Sequence, residues 1–227
     1  SRGLGDVYKR QGYGRSQAPV GKNHYTAEKI TADALALLDI FGVHEKATLV
    51  GHDWGAAIGW QLAIDHPHRF DRFAALSVGH PNAFLSAGTE QALKSWYMLF
   101  FQIPEVCERM LQANDWAMYR RFVKGYPESE RWIEDLSRPG RLTAALNWYR
   151  ALLPQMRGTD YKKARIPTMG VWSTRDVALS EQQMTNSAQW VDATWRYKRI
   201  DRASHWLMLD RPQELNTLLL DWLAADV

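Results

Sequence analysis

The sequence predicts an α/β fold, a mostly parallel sheet with helices on both faces that is interrupted by an all-helical block. Three observations carry this. Strand, tight turn, helix and strand follow one another over residues 47–78, the βαβ order of a parallel sheet. From about Ala83 to Pro154 every amphipathic segment has helical spacing and none reads as a strand. Strand and helix then alternate again to the C-terminus.

Each element has its own signal. Ile30, Ala34, Leu37, Leu38 and Phe41 recur at helical spacing after Tyr25, and Gly42 marks a stop. Ala47–Val50 reads as a short strand ending at Gly51. A helix from about Gly55 to Asp65 stops ahead of Pro67, because the residue before a proline disfavours helix. Phe73–Val78 reads as a buried strand. Within the helical block Pro104, Pro127 and Pro139 sit where helices can begin, their missing N–H harmless at the first position. Strands are expected at Thr168–Trp172 and Trp195–Ile200, a helix from about Ser180, and a closing helix after Pro212. The resulting organisation is a core of residues 12–82 and 155–227 with a helical lid of residues 83–154. Residues 1–11 carry no periodicity and join abruptly onto Gly12, so they read as foreign to the fold.

Composition narrows the function. The 227 residues are 46% hydrophobic and 23% charged, which excludes a disordered tail protein. The net charge of +3 is too small to argue for nucleic acid. No run approaches the ~18 apolar residues of a membrane span, and no secretory signal opens the chain. The single cysteine, Cys107, rules out an internal disulfide and multi-cysteine metal sites, and favours a reducing, cytoplasmic location. Eleven Trp and nine Tyr point to large apolar surfaces with polar handles, as a ligand cavity needs.

The most informative segment is Gly51-His52-Asp53-Trp54-Gly55. Glycines two places before and two after a central residue, between a strand and a helix, build a turn that lifts the central side chain clear of the sheet. The helix N-terminus behind it favours an anion. The central residue here is Asp53, and a carboxylate nucleophile forms an ester by displacement at an sp3 carbon. The plain alternative is an aspartate capping the following helix. Asp176, after the strand at Thr168–Trp172, and His205, after the last strand, complete the chain order nucleophile, acid, histidine. Loops leaving the C-terminal edge of a parallel sheet open on one side, so the three can converge. Asp192 and Asp201 compete for the acid role, and six other histidines for that of His205.

On these residues the chain resembles the α/β-hydrolase fold family and, within it, the epoxide hydrolases. Haloalkane dehalogenases share the aspartate nucleophile. The resemblance runs from Gly12-Tyr13-Gly14-Arg15-Ser16 to the C-terminus. It implies that two lid tyrosines protonate the epoxide oxygen, and Tyr97, in Trp96-Tyr97-Met98, and Tyr149, in Asn147-Trp148-Tyr149-Arg150, match those segments. A phenol with a pKa near ~10 is a competent donor at neutral pH. Both tyrosines also lie on apolar helical stripes, Leu93, Trp96/Tyr97 and Phe100/Phe101 in one and Leu142, Ala145/Leu146, Tyr149 and Leu153 in the other, which a core would equally explain. The resemblance further implies an oxyanion donor at the Trp54 N–H and substrate contacts from Trp54, Trp96 and Trp148. The substrates would be a small apolar epoxide and water, with no cofactor or metal. Its second oxyanion donor comes from a His-Gly-rich loop that this sequence lacks. The family core has eight strands, so the expectation is an N-terminally truncated, inactive chain. A haloalkane dehalogenase and a non-catalytic binder of apolar ligands are the alternative readings, and Trp54 does not separate the first from an epoxide hydrolase.

Overall fold

The structure, a computed structural model, describes residues 12–123, 126 and 128–225. The reading of residues 1–11 as foreign, and the helix start at Pro127, lie outside the described residues. In chain order the elements are α1 (Ala27–Ile40), β1 (Ala47–His52), α2 (Trp54–Asp65), β2 (Phe70–Leu76), α3 (Pro81–Leu85), α4 (Gly88–Lys94), α5 (Trp96–Phe100), α6 (Val106–Phe122), α7 (Ser129–Ser137), α8 (Arg141–Gly158), β3 (Thr168–Ser173), α9 (Glu181–Thr185), β4 (Trp195–Ile200), α10 (Leu207–Asp210) and α11 (Pro212–Ala224). Two compact units divide them. Thr31–Trp96 and Gly158–Val227 form one, and residues up to Ile30 with Tyr97–Arg157 form the other.

The first unit is built on a four-stranded, all-parallel sheet in the order β1-β2-β3-β4. Its register sets His52 beside Leu76, Leu76 beside Val171, and Ser173 beside Ile200, so the C-terminal ends of the strands are level. β3 is buried along its whole length, as expected of a strand covered on both faces. On one face Ala74, Leu76, Met169, Val171 and Ile200 pack with Leu207, Leu215 and Trp222 of α10 and α11. Elsewhere in the unit Trp60 of α2 meets Phe73 edge-on with ring centroids 5.2 Å apart. α2 approaches β2 so closely that a Cβ on Gly59 would lie 2.6 Å from the Phe73 ring. Arg72 binds the carbonyls of Trp222, Leu223 and Ala225, which closes the C-terminal end of α11.

Beyond β2, His80 has no exposed surface. Its ring stacks on Trp190 at 5.2 Å and meets Trp60 edge-on at 5.2 Å. Nε2–H donates to the Lys162 carbonyl at 3.0 Å and Nδ1 accepts the Asn82 N–H at 3.2 Å, capping α3. Burial is the main reason its pKa falls to about 4, so the ring is neutral.

In the helical unit Phe101, Cys107, Leu111, Trp116, Ile133, Leu142 and Leu146 form the core, with Tyr97 and Tyr149 half-buried against it. α6 is kinked at Ala113–Trp116, where Asn114, Asp115 and Trp116 take positive φ. The loop from Gly12 turns back through the Gly12 N–H to Gln17 carbonyl bond of 2.7 Å, and Arg138 and Arg141 bind its carbonyls at Gly14 and Ser16.

Every expected strand is present, β4 with the expected ends and the other three with shifted ones. β1 runs to His52 instead of stopping at Gly51, and β2 spans Phe70–Leu76 instead of Phe73–Val78. Ser77, at φ +69, ends β2 early. The helix expected from Ser180 is one short turn, α9, followed by a 3-10 segment at Asn186–Trp190. Among the described residues no strand lies between β2 and β3.

Candidate active site

β1 delivers the chain into the elbow. Asp53 stands between β1 and α2 at φ +52 and ψ −125, a strained conformation for a residue with a Cβ. Gly51 is what allows the turn to close. A Cβ there would lie 2.3 Å from the Gly55 carbonyl oxygen and 2.8 Å from the Ala56 nitrogen, both backbone atoms that cannot swing aside. The backbone carbonyl of Asp53 accepts from the Ala56 and Ala57 N–H groups and starts α2. Its side chain makes no capping hydrogen bond, contrary to the plain alternative, and is 43% exposed.

Asp176 and His205 follow β3 and β4, and the level strand ends bring all three side chains together. His205 Nε2 stands 3.7 Å from Asp53 Oδ1, and its Nδ1 is 2.9 Å from Asp176 Oδ2. The Asp176 carboxylate is fully buried. Its other oxygen accepts the N–H groups of Ala178 at 2.8 Å and Leu179 at 3.0 Å, so the carboxylate is satisfied on both sides. Of the expected competitors, Asp201 pairs with Arg199 at 3.3 Å.

The charges are coupled. Burial alone would lower the His205 pKa, but the charge and hydrogen bond of Asp176, reinforced by Asp53, lift it well above the ordinary imidazole range. Burial works to raise the Asp53 carboxyl, and the neighbouring His205 imidazolium, the charge of His52 and the Trp54 N–H together hold it below the usual carboxylate value. The resting pair is therefore carboxylate and imidazolium. His52 behaves oppositely. Burial first, then the charge of His205, push its pKa down to about 4.

Several positioning groups carried no sequence signal. His52 Nε2–H donates to the His205 carbonyl at 2.8 Å, and the two rings lie 4.7 Å apart. α4 holds the acid loop. Buried Gln91 donates to the Ala178 carbonyl at 3.0 Å and accepts from the Ser180 N–H at 2.9 Å, while Lys94 Nζ donates to the Asp176 carbonyl at 2.7 Å. The histidine loop is tied by Ser173 Oγ–H to the Ser204 carbonyl at 2.6 Å.

The expected tyrosines both belong to the helical unit. Their ring centroids are 6.0 Å apart at an interplanar angle of 78°, and each meets Phe101, Tyr97 at 5.5 Å and Tyr149 at 4.9 Å. Trp54 opens α2 next to Asp53, and Trp96 is half-exposed. Trp148 has no exposed surface and packs edge-on against Tyr13. The apolar stripe through α8 is a core face, with Leu142, Ala145, Leu146 and Leu153 all buried. The stripe through α5 is not continuous, since Leu93 is 75% exposed. Among the described residues no group of three or more His, Cys, Asp or Glu side chains could hold a metal ion, and no helix is long and apolar enough to cross a membrane.

An exposed carboxylate on a helix N-terminus, an imidazole beside it and a buried acid behind are the parts of a covalent hydrolase. Comparison with known proteins identifies the fold family. A family model for the alpha/beta hydrolase fold matches residues 10–212. The AB hydrolase superfamily protein YfhM of Bacillus subtilis is 32% identical over 94% of this chain and 78% of its own length. Human epoxide hydrolase 4 is 28% identical and Xenopus tropicalis epoxide hydrolase 3 is 30% identical, each over 95% of this chain. The chain spans 64% and 63% of the length of those two. Among solved structures, epoxide hydrolase A of Mycobacterium thermoresistibile superposes with a TM-score of 0.76 at 27% identity, over 94% of this chain and 80% of that one. A Bacillus megaterium epoxide hydrolase in complex with an inhibitor gives 0.83 at 24% identity, over 95% and 82%, which is a likeness of fold.

Proposed function

Because the chain belongs to the alpha/beta hydrolase fold family and carries a carboxylate at the elbow, we propose that it opens a small apolar epoxide to a vicinal diol through an ester on Asp53. The observation that carries this reading is the alignment of Asp53, His205 and Asp176, at 3.7 Å and 2.9 Å, with the elbow residue a carboxylate. The names of its relatives support the same reaction.

In the first half-reaction an Asp53 oxygen attacks an epoxide carbon. The carbon–oxygen bond breaks, and the departing oxygen takes a proton from the phenols of Tyr97 and Tyr149. This leaves a hydroxyalkyl ester and a phenolate. The imidazolium of His205 stabilises the attacking carboxylate's resting charge and returns a proton, through water, to the phenolate. Esterification also removes the Asp53 charge that helps to raise the His205 pKa. The His205 pKa therefore falls, the imidazolium gives up its proton more readily, and the neutral imidazole is ready to accept one when a base is needed. In the second half-reaction His205, oriented by Asp176, takes a proton from water. The hydroxide adds to the ester carbonyl, and the Trp54 N–H at the start of α2 stabilises the oxyanion. Collapse releases the diol and restores carboxylate and imidazolium, so protons balance over one turnover. Trp54 and Trp96 supply apolar surface to the substrate.

The test separates the two halves. Replacing His205 by glutamine should slow ester hydrolysis by ~10²–10⁴-fold while ring opening continues. Mass spectrometry after incubation with a styrene-type epoxide should then find one adduct, on the peptide containing Asp53. An adduct elsewhere, turnover surviving in Asp53→Ala, or halide release from a chloroalkane by a protein that ignores epoxides, overturns the proposal.

A further inference from the structure

We infer that Arg150, clamped by Glu108, is a positioning residue that fixes the two phenols of Tyr97 and Tyr149 in one relative geometry for ring opening. The inference rests on the reading of those tyrosines as proton donors given above. Arg150 directly follows Tyr149 on α8 and is only 6% exposed. Its guanidinium reaches three places at once. Nε donates to the Phe101 carbonyl at 2.9 Å, Nη1 to Glu108 Oε1 at 2.8 Å, and Nη2 to Glu108 Oε2 at 3.0 Å. Nη2 also lies 3.0 Å from Cys107 Sγ, and Nη1 3.4 Å from Asn147 Oδ1.

These partners belong to the segments that set the phenols. Phe101 follows α5, its N–H bonds the Tyr97 carbonyl at 2.9 Å, and its ring touches both tyrosines. Glu108 lies in the first turn of α6. One residue after Tyr149 is about 100° further round a helix. A fork anchored there on two other segments therefore fixes the rotation of α8 about its own axis, and with it the direction in which Tyr149 leaves the helix. Gln102 adds a second strap, donating to the Met98 and Tyr149 carbonyls at 3.1 Å each.

A buried ion pair is a poor device for stability, since desolvating both charges offsets most of their attraction. Its strength is direction, because a planar fork on a carboxylate allows one geometry where apolar packing allows several. Burial works to raise the Glu108 carboxyl, yet the Arg150 fork keeps it at about 2, so the pair stays ionised across the working pH range.

The experiment uses single-turnover kinetics with a styrene-type epoxide in the full chain. Arg150→Lys and Glu108→Gln keep the size and polarity of the site while breaking the fork. Each should slow ring opening about ten- to hundredfold, as misplacement of reacting groups does, and leave ester hydrolysis within about twofold. In a Tyr149→Phe background, where no pair of donors is left to align, Glu108→Gln should cost less than about threefold. Equal slowing of both half-reactions, or an undiminished cost in the Tyr149→Phe background, makes the role structural only and overturns the inference. If Tyr97→Phe and Tyr149→Phe slow ring opening while the Arg150 and Glu108 variants do not, positioning alone is wrong. If the tyrosine variants leave ring opening unchanged, the donor reading fails and the inference falls with it.

Discussion

Replacing His80 by asparagine should flatten the acid side of the stability curve. The His80 ring is completely buried, is stacked on Trp190 and uses Nδ1 to accept the Asn82 N–H, so a second proton costs both the cap and an uncompensated charge. Its folded pKa is about 4 and its ordinary value 6.5. In the window between them the unfolded chain binds a proton that the folded chain refuses, and stability falls as the pH is lowered. The slope is ~1.4 kcal/mol per pH unit, which gives about 2 kcal/mol between pH 7 and pH 5. His52 is lowered to the same value by burial and by His205 and adds a similar amount, so the two histidines together cost about 4 kcal/mol over that interval. His205 has the opposite sign. Its raised folded pKa gives stability that is complete below 6.5 and is lost progressively between 6.5 and the raised value, so between pH 7 and pH 5 it offsets about 1 kcal/mol of the acid loss in parent and variant alike. The assay is urea unfolding followed by tryptophan fluorescence at the two pH values. Asparagine keeps a capping acceptor for α3 but cannot titrate. The variant's loss between pH 7 and pH 5 should be about 2 kcal/mol smaller than the parent's, whatever the lost stacking costs at pH 7. A variant that loses as much as the parent would refute the argument.

Other consequences are equally direct. Tyr97→Phe and Tyr149→Phe should each lower the ring-opening rate, within the ~10²–10⁴-fold range of a lost general acid, and the double variant should be nearly inactive in a diol-formation assay. Asp176→Asn retains an oxygen for the Ala178 and Leu179 N–H groups but turns an amide toward His205 Nδ1. It should therefore fold normally and lose ~10⁴-fold in kcat through the wrong imidazole tautomer, read as slow decay of the ester. Gly51→Ala places a Cβ against the Gly55 carbonyl and should cost about 3 kcal/mol or more, seen as a lowered melting temperature.

The elbow was legible in sequence because its chemistry is local: two glycines, a strand before and a helix after, within a few residues. The convergence of Asp176 and His205 on Asp53 was legible for a similar reason, since both follow recognisable apolar strands. The start of β2 was not, because Asp71 and Arg72 look like loop residues. They are spent on tertiary bonds, Asp71 accepting from Thr48 Oγ1 at 2.9 Å and Arg72 closing α11. Gln91 and Lys94 were invisible for a deeper reason. A glutamine and a lysine on a short amphipathic helix become positioning groups only when a loop more than eighty residues later is laid against them. The tryptophan count pointed to ligand surface, yet Trp60, Trp148 and Trp222 are wholly internal. Composition reports how much aromatic surface a chain owns, and packing decides which part of it faces outward.

The parallel pairing of β2 with β3 has a consequence for synthesis. Roughly 90 residues separate Leu76 from Thr168, and most of the helical unit is encoded within that interval. A ribosome adding ~5–20 residues per second therefore leaves β2 waiting about 5 to 20 seconds for its neighbour. Throughout that time the backbone edge of Phe73–Leu76, sealed in the finished protein, is an unpaired template that another nascent chain can extend. Slower elongation across residues 97–157 lengthens this exposure, while a chaperone that shields strand edges shortens it in effect. The yield of native protein should thus depend on translation speed through the helical unit more than on the stability of either unit once made.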